Sequence, residues 1–475
     1  MKFRELWHNY PARIEGADVE VTGITYDSRQ VKPGDVFVAI RGFDTDGHRF
    51  IASAEGKGAA AIVAERDVET SLPLCVVEEG RRALSHAASV LYGHPSEKLK
   101  IVGVTGTKGK TTVTTLLYNV ATEAGMKAGR IGTIGVAYGD VHYPLTHTTP
   151  ESADLHRILR EMVDAGVELV LMEVSSLALS LERVADIGFD IGIFTNLTPD
   201  HIGGNEHASM AEYARAKAML FERAKVSILS ADDPYGREMD RFAKGKVVTY
   251  GMDADVKPED LKEARRVGEE TTFRVGGAQY ALPSVGRFNV ENALAVIAAA
   301  QALGLDETAV AKSLEEFRVP GRMEILPSPE GTTILLDYAH NGASIESLIA
   351  AVRPGAERIL LLVGSVGGRT RSRRREIMEA AKDADLVILT SDNPDDEDPG
   401  EIIDEMAQYA TMPVLKEPDR TRAVARAIDI MQKGDLLILA GKGHEEGQLI
   451  RGVLEPYSDR EAVEKALGRL SCRYE

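Results

Sequence analysis

Only two cysteines, Cys75 and Cys472, and a single tryptophan, Trp7, occur in 475 residues. Two thiols are too few for a disulfide framework, so a packed core must hold the fold. No apolar run approaches the roughly 18 residues of a membrane-spanning helix. The opening stretch, Met1 to Trp7, has no apolar block of the kind that leads a secreted chain. Positive charge is in deficit: 56 Lys and Arg face 74 Asp and Glu, a net charge of -18. That balance argues against a nucleic-acid partner, which would call for a basic face. It leaves room for an anionic ligand held by local cations and backbone donors. The expected setting is the cytoplasm, without nucleic acid or a membrane span, and a monomer is expected. What is present is ordinary globular material, 44% hydrophobic and 27% charged, in a length that suggests two to four domains.

The most informative stretch is Val102-Gly103-Val104-Thr105-Gly106-Thr107-Lys108-Gly109-Lys110-Thr111-Thr112. An apolar strand pattern from Ile101 enters a glycine-punctuated turn and leaves as a helical pattern, Val113 to Ala124. Glycines let backbone N–H groups close around phosphate oxygens, and the helix presents its positive end to the same anion. Lys110 can reach the β- and γ-phosphates, and the Thr111 hydroxyl can bind Mg²⁺. An ordinary strand–helix turn is the plain alternative, but the context on both sides is that of a phosphate loop.

Around it, apolar runs alternate with helical patterns, which argues for an α/β fold with mostly parallel sheets. The first segment carries the turns Asp27-Ser28-Arg29 and Phe43-Asp44-Thr45 on a small α/β module. Tyr92 to Lys98 reads as a linker. In the second segment, Leu169 to Met172 ends in Glu173-Val174-Ser175-Ser176, and Ile191 to Phe194 leads to Asp200-His201. Ligands of open α/β sheets bind beyond the carboxyl ends of the strands, so Glu173 and His201 are expected on the phosphate-loop edge. A carboxylate there can hold Mg²⁺; His201 reads equally as a metal ligand or as a loop histidine. A helix from Ala211 to Phe221 groups Tyr213, Lys217, Leu220 and Phe221 on one face. Lys217 is then either a desolvated amine able to take up CO₂ as a carbamate or, more plainly, a lysine whose head stays wet. Asn289 and Asn292 precede an apolar helix, Ala293 to Leu303, as caps or as contacts to a base. In the third segment four apolar strands deliver polar loops: Asp337 to Asn341, Gly364 to Arg369, Ser391 to Pro394, and Gly441 to Glu445. Four such loops suggest one composite site.

Together these residues resemble the Mur ligases, ATP-dependent enzymes that form amide bonds in peptidoglycan precursor synthesis, and within that family the branch that builds the UDP-N-acetylmuramoyl tripeptide. The similarity is carried by Asp27-Ser28-Arg29, the loop Thr105 to Thr111, Thr148-Thr149-Pro150, Glu173 to Ser176 with Arg183, Thr195-Asn196-Leu197 with Asp200-His201, Ala216-Lys217, Asn289, Arg322, Asp337 to His340, Asp392-Asn393-Pro394 and Gly441 to Glu445. It implies a UDP-binding domain (1–95), a P-loop ATPase domain (96–318) and a Rossmann-like amino-acid-binding domain (319–475). It implies that Ser28, Phe43, Asp44 and Thr45 hold uridine diphosphate, and that Thr148, Thr149, Ser175 and Arg183 hold the muramoyl dipeptide. Gly106, Thr107, Lys108, Gly109, Lys110, Thr111 and Thr112 would hold ATP, reached also by Asn289, Arg322 and His340. Thr111, Glu173, His201 and a carbamylated Lys217 would hold the Mg²⁺ ions. Lys110, Glu173, His201 and Lys217 are thus the expected catalytic set.

The implied reaction couples UDP-MurNAc-L-Ala-D-Glu, through an acyl phosphate on the D-glutamate side chain, to a diamino acid, in a pathway serving cell shape and division. Relatives that add meso-diaminopimelate typically follow Asp-Asn-Pro with Arg, which pairs with the distal carboxylate. Here that residue is Asp395, which favours L-lysine, then ornithine, over diaminopimelate. Asp392 and Glu445 would take the side-chain ammonium and Arg369 the α-carboxylate, with Asn393, Asp395 and Gly441 also among the substrate-binding residues. Asp395 turned to solvent would leave that selectivity to the others. A folylpolyglutamate-synthetase-like ligase and a non-catalytic sensor of UDP-muramoyl peptides are the rival readings. The Asp27-Ser28-Arg29 module speaks against the first and the intact phosphate loop against the second.

Overall fold

The computed structural model describes all residues except Asp44, Asp200, His201, Gly204, Asn205, Arg369, Thr370 and Glu475, with backbone only for 469–474. Two compact units emerge. One joins Met1–Asp255 to Ala295–Asp306; the other joins Val256–Leu294 to Glu307–Glu475. Among the described residues no helix is long and apolar enough to cross a membrane.

The first unit begins with strands β1 (Arg13–Glu15), β2 (Gly23–Thr25), β3 (Asp35–Val38), β4 (Ala61–Ala64) and β5 (Leu74–Val76), in the order β1-β5-β4-β3-β2. β2 to β5 run parallel, so the turns after β2 and β3 leave one edge of the sheet. The same unit holds β6 (Lys100–Thr105), β7 (Ala128–Gly132), β8 (Gly135–Tyr138), β9 (Val141–Tyr143), β10 (Leu169–Glu173), β11 (Phe189–Phe194), β12 (Ala224–Ser230) and β13 (Lys246–Tyr250). Their order is β13-β12-β11-β6-β10-β7-β8-β9. β6 sits between β10 and β11 and parallel to both. The chain crosses over to either side of it, and a crevice opens at such a point beyond the strand ends.

The helix Ser152–Asp164 covers one face of this sheet. Leu155, Ile158, Leu159 and Met162 recur at helical spacing and are fully buried, each contributing roughly 1.5–3 kcal/mol. His156 on the same helix is also fully buried, and neither ring nitrogen finds a hydrogen-bond partner among the described residues. Burial pushes its pKa down to about 4, against the pull of Asp186 and with a small push from His94. The unfolded chain binds a proton near the ordinary value of about 6.5, while the folded chain refuses it until about 4. Stability should therefore be full above about pH 6.5 and decline by about 2–3 kcal/mol as pH falls towards 4. Urea unfolding of His156→Leu against pH checks this: the acid decline over that window should shrink.

The second unit holds a small antiparallel sheet, β14 (Glu259–Lys262), β15 (Thr271–Val275) and β16 (Ala278–Leu282), then the sheet β17 (Glu324–Leu326), β18 (Thr333–Asp337), β19 (Arg358–Val363), β20 (Leu386–Leu389), β21 (Val414–Lys416) and β22 (Asp435–Ala440). The latter is ordered β17-β18-β22-β19-β20-β21, parallel except for β17. The four loops singled out in the sequence follow β18, β22, β19 and β20, which are consecutive neighbours. A hairpin, β23 (Gly447–Ile450) and β24 (Val453–Pro456), and the helix Asp459–Tyr474 complete the unit. Val319 to Arg322 forms a tight turn, closed by Arg322 N donating to Val319 O at 3.0 Å. Gly321 lies so close to Gly443 and His444 that a Cβ would come within 2.2 Å of His444 N.

Candidate functional site

The phosphate loop is built from the end of β6 outward. Apolar Ile101, Val102 and Val104 bury β6, and the helix Lys110–Glu123 starts directly after Gly109. The intervening loop is tied to the segment after β11. Thr107 N donates to Asn196 O at 2.9 Å, Lys108 N to Asn196 Oδ1 at 2.9 Å, and Thr195 Oγ1 to Lys108 O at 2.6 Å. Gly106 permits this approach: it has φ +152°, and a Cβ there would lie 1.9 Å from Thr195 Oγ1. Thr107 Oγ1 contacts Tyr213 OH at 3.2 Å, and Thr112 is buried in the first helical turn. Lys110 Nζ donates to Gly106 O and Thr107 O at 2.9 and 3.0 Å, which holds the ammonium over the loop.

Glu173 ends β10 in register with Val104 of β6, the penultimate residue of that strand, and is 1% exposed. Its Oε2 accepts from Thr111 Oγ1 at 3.0 Å and from Thr133 Oγ1 at 3.1 Å; its Oε1 accepts from Thr133 N at 2.8 Å. A Cβ on Gly132 would sit 2.3 Å from Glu173 Oε1, so the empty side of that glycine is where the carboxylate fits. A buried carboxylate and a hydroxyl side by side on a phosphate loop form the hard-oxygen set that Mg²⁺ takes. Thr133 was not singled out in the sequence.

Lys217 comes to the same loop from the helix Met210–Ala218, shorter than the expected Ala211 to Phe221 because Met219 to Phe221 turn with i→i−3 bonds. Its Nζ donates to Gly106 O at 2.9 Å and lies 4.4 Å from the Tyr213 ring centre, with the residue 1% exposed. The wet-headed lysine of the pattern reading is therefore corrected: helix packing brings the amine into the loop. His207, also missed in the sequence, is buried between Tyr213 and Ser176, with its Nε2 2.9 Å from Ser176 Oγ.

On the other side of Glu173 stand the residues expected to hold the dipeptide. Thr148 Oγ1 lies 3.1 Å from Thr133 Oγ1. Thr149 is buried and occupied internally: its Oγ1 donates to Glu173 O at 2.9 Å and accepts from Ser175 N at 3.0 Å. Arg183 donates to Thr149 O at 3.0 Å and pairs with Glu151 at 2.9 Å, and Arg81 meets Glu151 at 3.1 Å.

In the N-terminal module, Arg29 forks onto Asp27, and Lys57 Nζ donates to the carbonyls of Ser28 and Arg29 at 2.9 and 3.0 Å. The Arg29 bond holds the Asp27 carboxyl down at about 2, against the upward push of burial. Phe43 is exposed at the tip of a turn closed by Gly42 N on Thr45 O at 2.8 Å. Asp44, His201 and Arg369 lie outside the described residues.

In the second unit Lys442 is the centre of a cluster. Its fully buried ammonium donates to Asn393 Oδ1, to Glu445 Oε2 at 3.1 Å and to Gly447 O at 2.8 Å, with Asp392 Oδ1 at 3.4 Å. Burial pushes the Asp392 carboxyl up, and Lys442 and Arg420 pull it back. Tyr338 OH donates to Glu445 Oε1 at 3.1 Å, Arg322 stacks 4.4 Å over the Tyr338 ring, and His340 Nδ1 lies 2.7 Å from Tyr338 O. Gly441 has φ +104° against Asp392. These residues bring together three of the four loops singled out in the sequence, those after β18, β20 and β22. Two others stand apart from them. Asp395 directs Oδ1 to Gly452 N at 2.9 Å, in the β23–β24 turn. Asn289 falls inside the helix Arg287–Leu303, which starts earlier than expected, and spends its amide on Ser284 Oγ and Val285 O at 2.8 and 2.9 Å.

Comparison with known proteins matches three family models in chain order: "Mur ligase family, catalytic domain" over 20–92, "Mur ligase middle domain" over 104–300 and "Mur ligase, glutamate ligase domain" over 321–443. A protein of Geobacillus kaustophilus named UDP-N-acetylmuramoyl-L-alanyl-D-glutamate--2,6-diaminopimelate ligase is 39% identical over 95% of this chain and 96% of its own. One of the same name from Aquifex aeolicus is 38% identical over 95% of each. A solved structure of that name has a TM-score of 0.68 at 27% identity, covering 99% of this chain and 100% of its own. A MurF ligase from Thermotoga maritima in complex with ADP shares the fold, with a TM-score of 0.64 at 20% identity, over 95% of this chain and 99% of its own.

Proposed function

Since the chain belongs to the Mur ligase family, with its three-domain α/β architecture and ATP-dependent amide-bond chemistry, we propose that it adds a diamino acid to UDP-MurNAc-L-Ala-D-Glu, and that this amino acid is L-lysine. The work is peptidoglycan precursor synthesis, and we place it in the cytoplasm. A carboxylate does not react with an amine near neutral pH. Transfer of the γ-phosphoryl group of ATP to the D-glutamate side chain creates an acyl phosphate. The α-amine of the incoming amino acid attacks it, and phosphate leaves. Lys110 and the loop N–H groups would hold the triphosphate against the approaching carboxylate. Mg²⁺ held by Thr111 and Glu173, with His201 and a carbamylated Lys217, would supply charge neutralisation between the two anions. Thr148, Ser175 and Arg183 would orient the dipeptide, and Ser28 and the turn Phe43-Asp44-Thr45 the uridine diphosphate.

The observation that carries the amino-acid reading is the cluster of two acids, Asp392 and Glu445, around one buried cation, Lys442. With all three ionised the cluster is one negative charge in excess, which suits a distal ammonium. Asp395, spent on the hairpin, brings no positive charge to meet a distal carboxylate. Diaminopimelate is the second reading, favoured by the names of the relatives. ADP release with UDP-MurNAc-L-Ala-D-Glu and each of lysine, ornithine and meso-diaminopimelate decides between them. Lysine should give the highest kcat/KM, by about tenfold or more, the worth of one well-placed charge pair. A higher value with diaminopimelate would reverse the assignment. Release with a folate substrate instead would remove the family branch altogether.

A further inference from the structure

The protons around Glu173 can be counted, and the count fixes the polarity of the neighbouring substrate side. A carboxylate only accepts hydrogen bonds, and a threonine hydroxyl has one proton to give. Thr133 Oγ1 gives its proton to Glu173 Oε2 at 3.1 Å. Thr133 Oγ1 also lies 3.1 Å from Thr148 Oγ1, a contact in which either oxygen has the geometry to donate. With the Thr133 proton committed, the proton between the two threonines belongs to Thr148. Thr148 therefore donates inward, and its remaining lone pairs can only accept.

We propose that Thr148 recognises a hydrogen-bond donor on the muramoyl-peptide substrate, a peptide N–H, and not a carboxylate, and that Thr133 is the positioning residue that imposes this polarity. The adjacent Thr149 sharpens the assignment. Its hydroxyl donates to Glu173 O and accepts from Ser175 N, and the residue is 1% exposed. Thr148 is half-buried, so of the two neighbours it is the one whose lone pairs a ligand can reach. The chain Thr148–Thr133–Glu173–Thr111 thus runs from the peptide side to the phosphate loop, with both outer hydroxyls pointing their protons towards the shared carboxylate. The inference rests on the functional reading above, since it takes the muramoyl peptide as the ligand.

Calorimetric titration of the full chain with UDP-MurNAc-L-Ala-D-Glu and two ester analogues tests it. In one analogue an oxygen replaces the alanine N–H, in the other the glutamate N–H. The wild type should bind one analogue about tenfold more weakly than the parent, the worth of one hydrogen bond with its acceptor left unpaired. Thr148→Val should bind that analogue and the parent alike. Thr133→Val frees the Thr148 proton to turn outward and should narrow the gap, while Thr133→Ser restores it. Equal binding of both esters by the wild type, or a gap that survives in Thr148→Val, overturns the proposal. Failure of the wild type to bind the parent at all would instead overturn the functional reading, and the inference with it.

Discussion

Lys110→Ala should lower kcat by on the order of 10²–10³ while leaving the melting temperature within about a degree or two of the wild type. The side chain stands at the start of the helix Lys110–Glu123 and is held by two loop carbonyls, Gly106 O and Thr107 O. Its charge is therefore positioned before chemistry begins, and little reorganisation is needed when phosphoryl transfer shifts charge towards the bridging oxygen. The cation stays at the surface of a loop that is otherwise secured by Thr195 and Asn196, so truncation should not unfold the loop. Lys110→Arg should not rescue, because a planar fork cannot take the place of a compact ammonium between two carbonyls. Rapid-quench measurement of acyl phosphate formation, with a thermal melt of the variant beside the wild type, checks both halves. A kcat within tenfold of the wild type would remove Lys110 from the chemistry.

The second large effect is on stability. Asp459→Ala should destabilise the second unit by about 3–5 kcal/mol. Arg420 and Asp459 have fully buried side chains and meet through two bonds of 2.8 Å. Removing the acid takes the directly bonded partner from a guanidinium in the core and leaves its charge to the longer-range pull of Asp392. That guanidinium also donates to Ala440 O at 2.9 Å and to Ser391 O at 3.3 Å, the carbonyls just before Gly441 and Asp392. Exchange of backbone amides should consequently quicken in 386–392 and 435–442, read by mass spectrometry. Trp7 belongs to the N-terminal core of the first unit, so its fluorescence transition should stay in place. Replacing both partners by Met and Leu should recover most of the loss, since a buried pair gives little net stability over apolar packing. Unchanged exchange in Asp459→Ala would show that the pair is expendable.

Local pattern made the framework readable. The strand, glycine turn and helix at 101–124 are consecutive in sequence, so their geometry is encoded where it is used. The apolar strands at 169–172, 191–194 and in the third segment were legible for the same reason, as was the shared edge of their loops. Contacts between distant polar residues were not. Thr133 meets Glu173 across 40 positions, His207 meets Ser176 across 31, and Arg420 meets Asp459 across 39. No periodicity marks a threonine after a glycine as a carboxylate's partner. A charged pair is expected on the surface until its burial is seen. Lys217 shows the limit from the other side: spacing put it on the correct helix face, but only packing decides whether a lysine head reaches solvent or a loop carbonyl.

Asp395 has φ +51° and fastens the tip of the β23–β24 hairpin through Gly452 N. Arginine at 395, written in to convert the amino-acid preference, would therefore strip the tip of its side-chain anchor, while the backbone bonds from Asp395 N to Leu449 O at 3.0 Å and from Arg451 N to Asp395 O at 2.8 Å would stay. The guanidinium has no acceptor to offer Gly452 N. Clean redesign calls for a paired change, with a new acceptor supplied to the hairpin from elsewhere, and a single swap would report on loop order as much as on recognition.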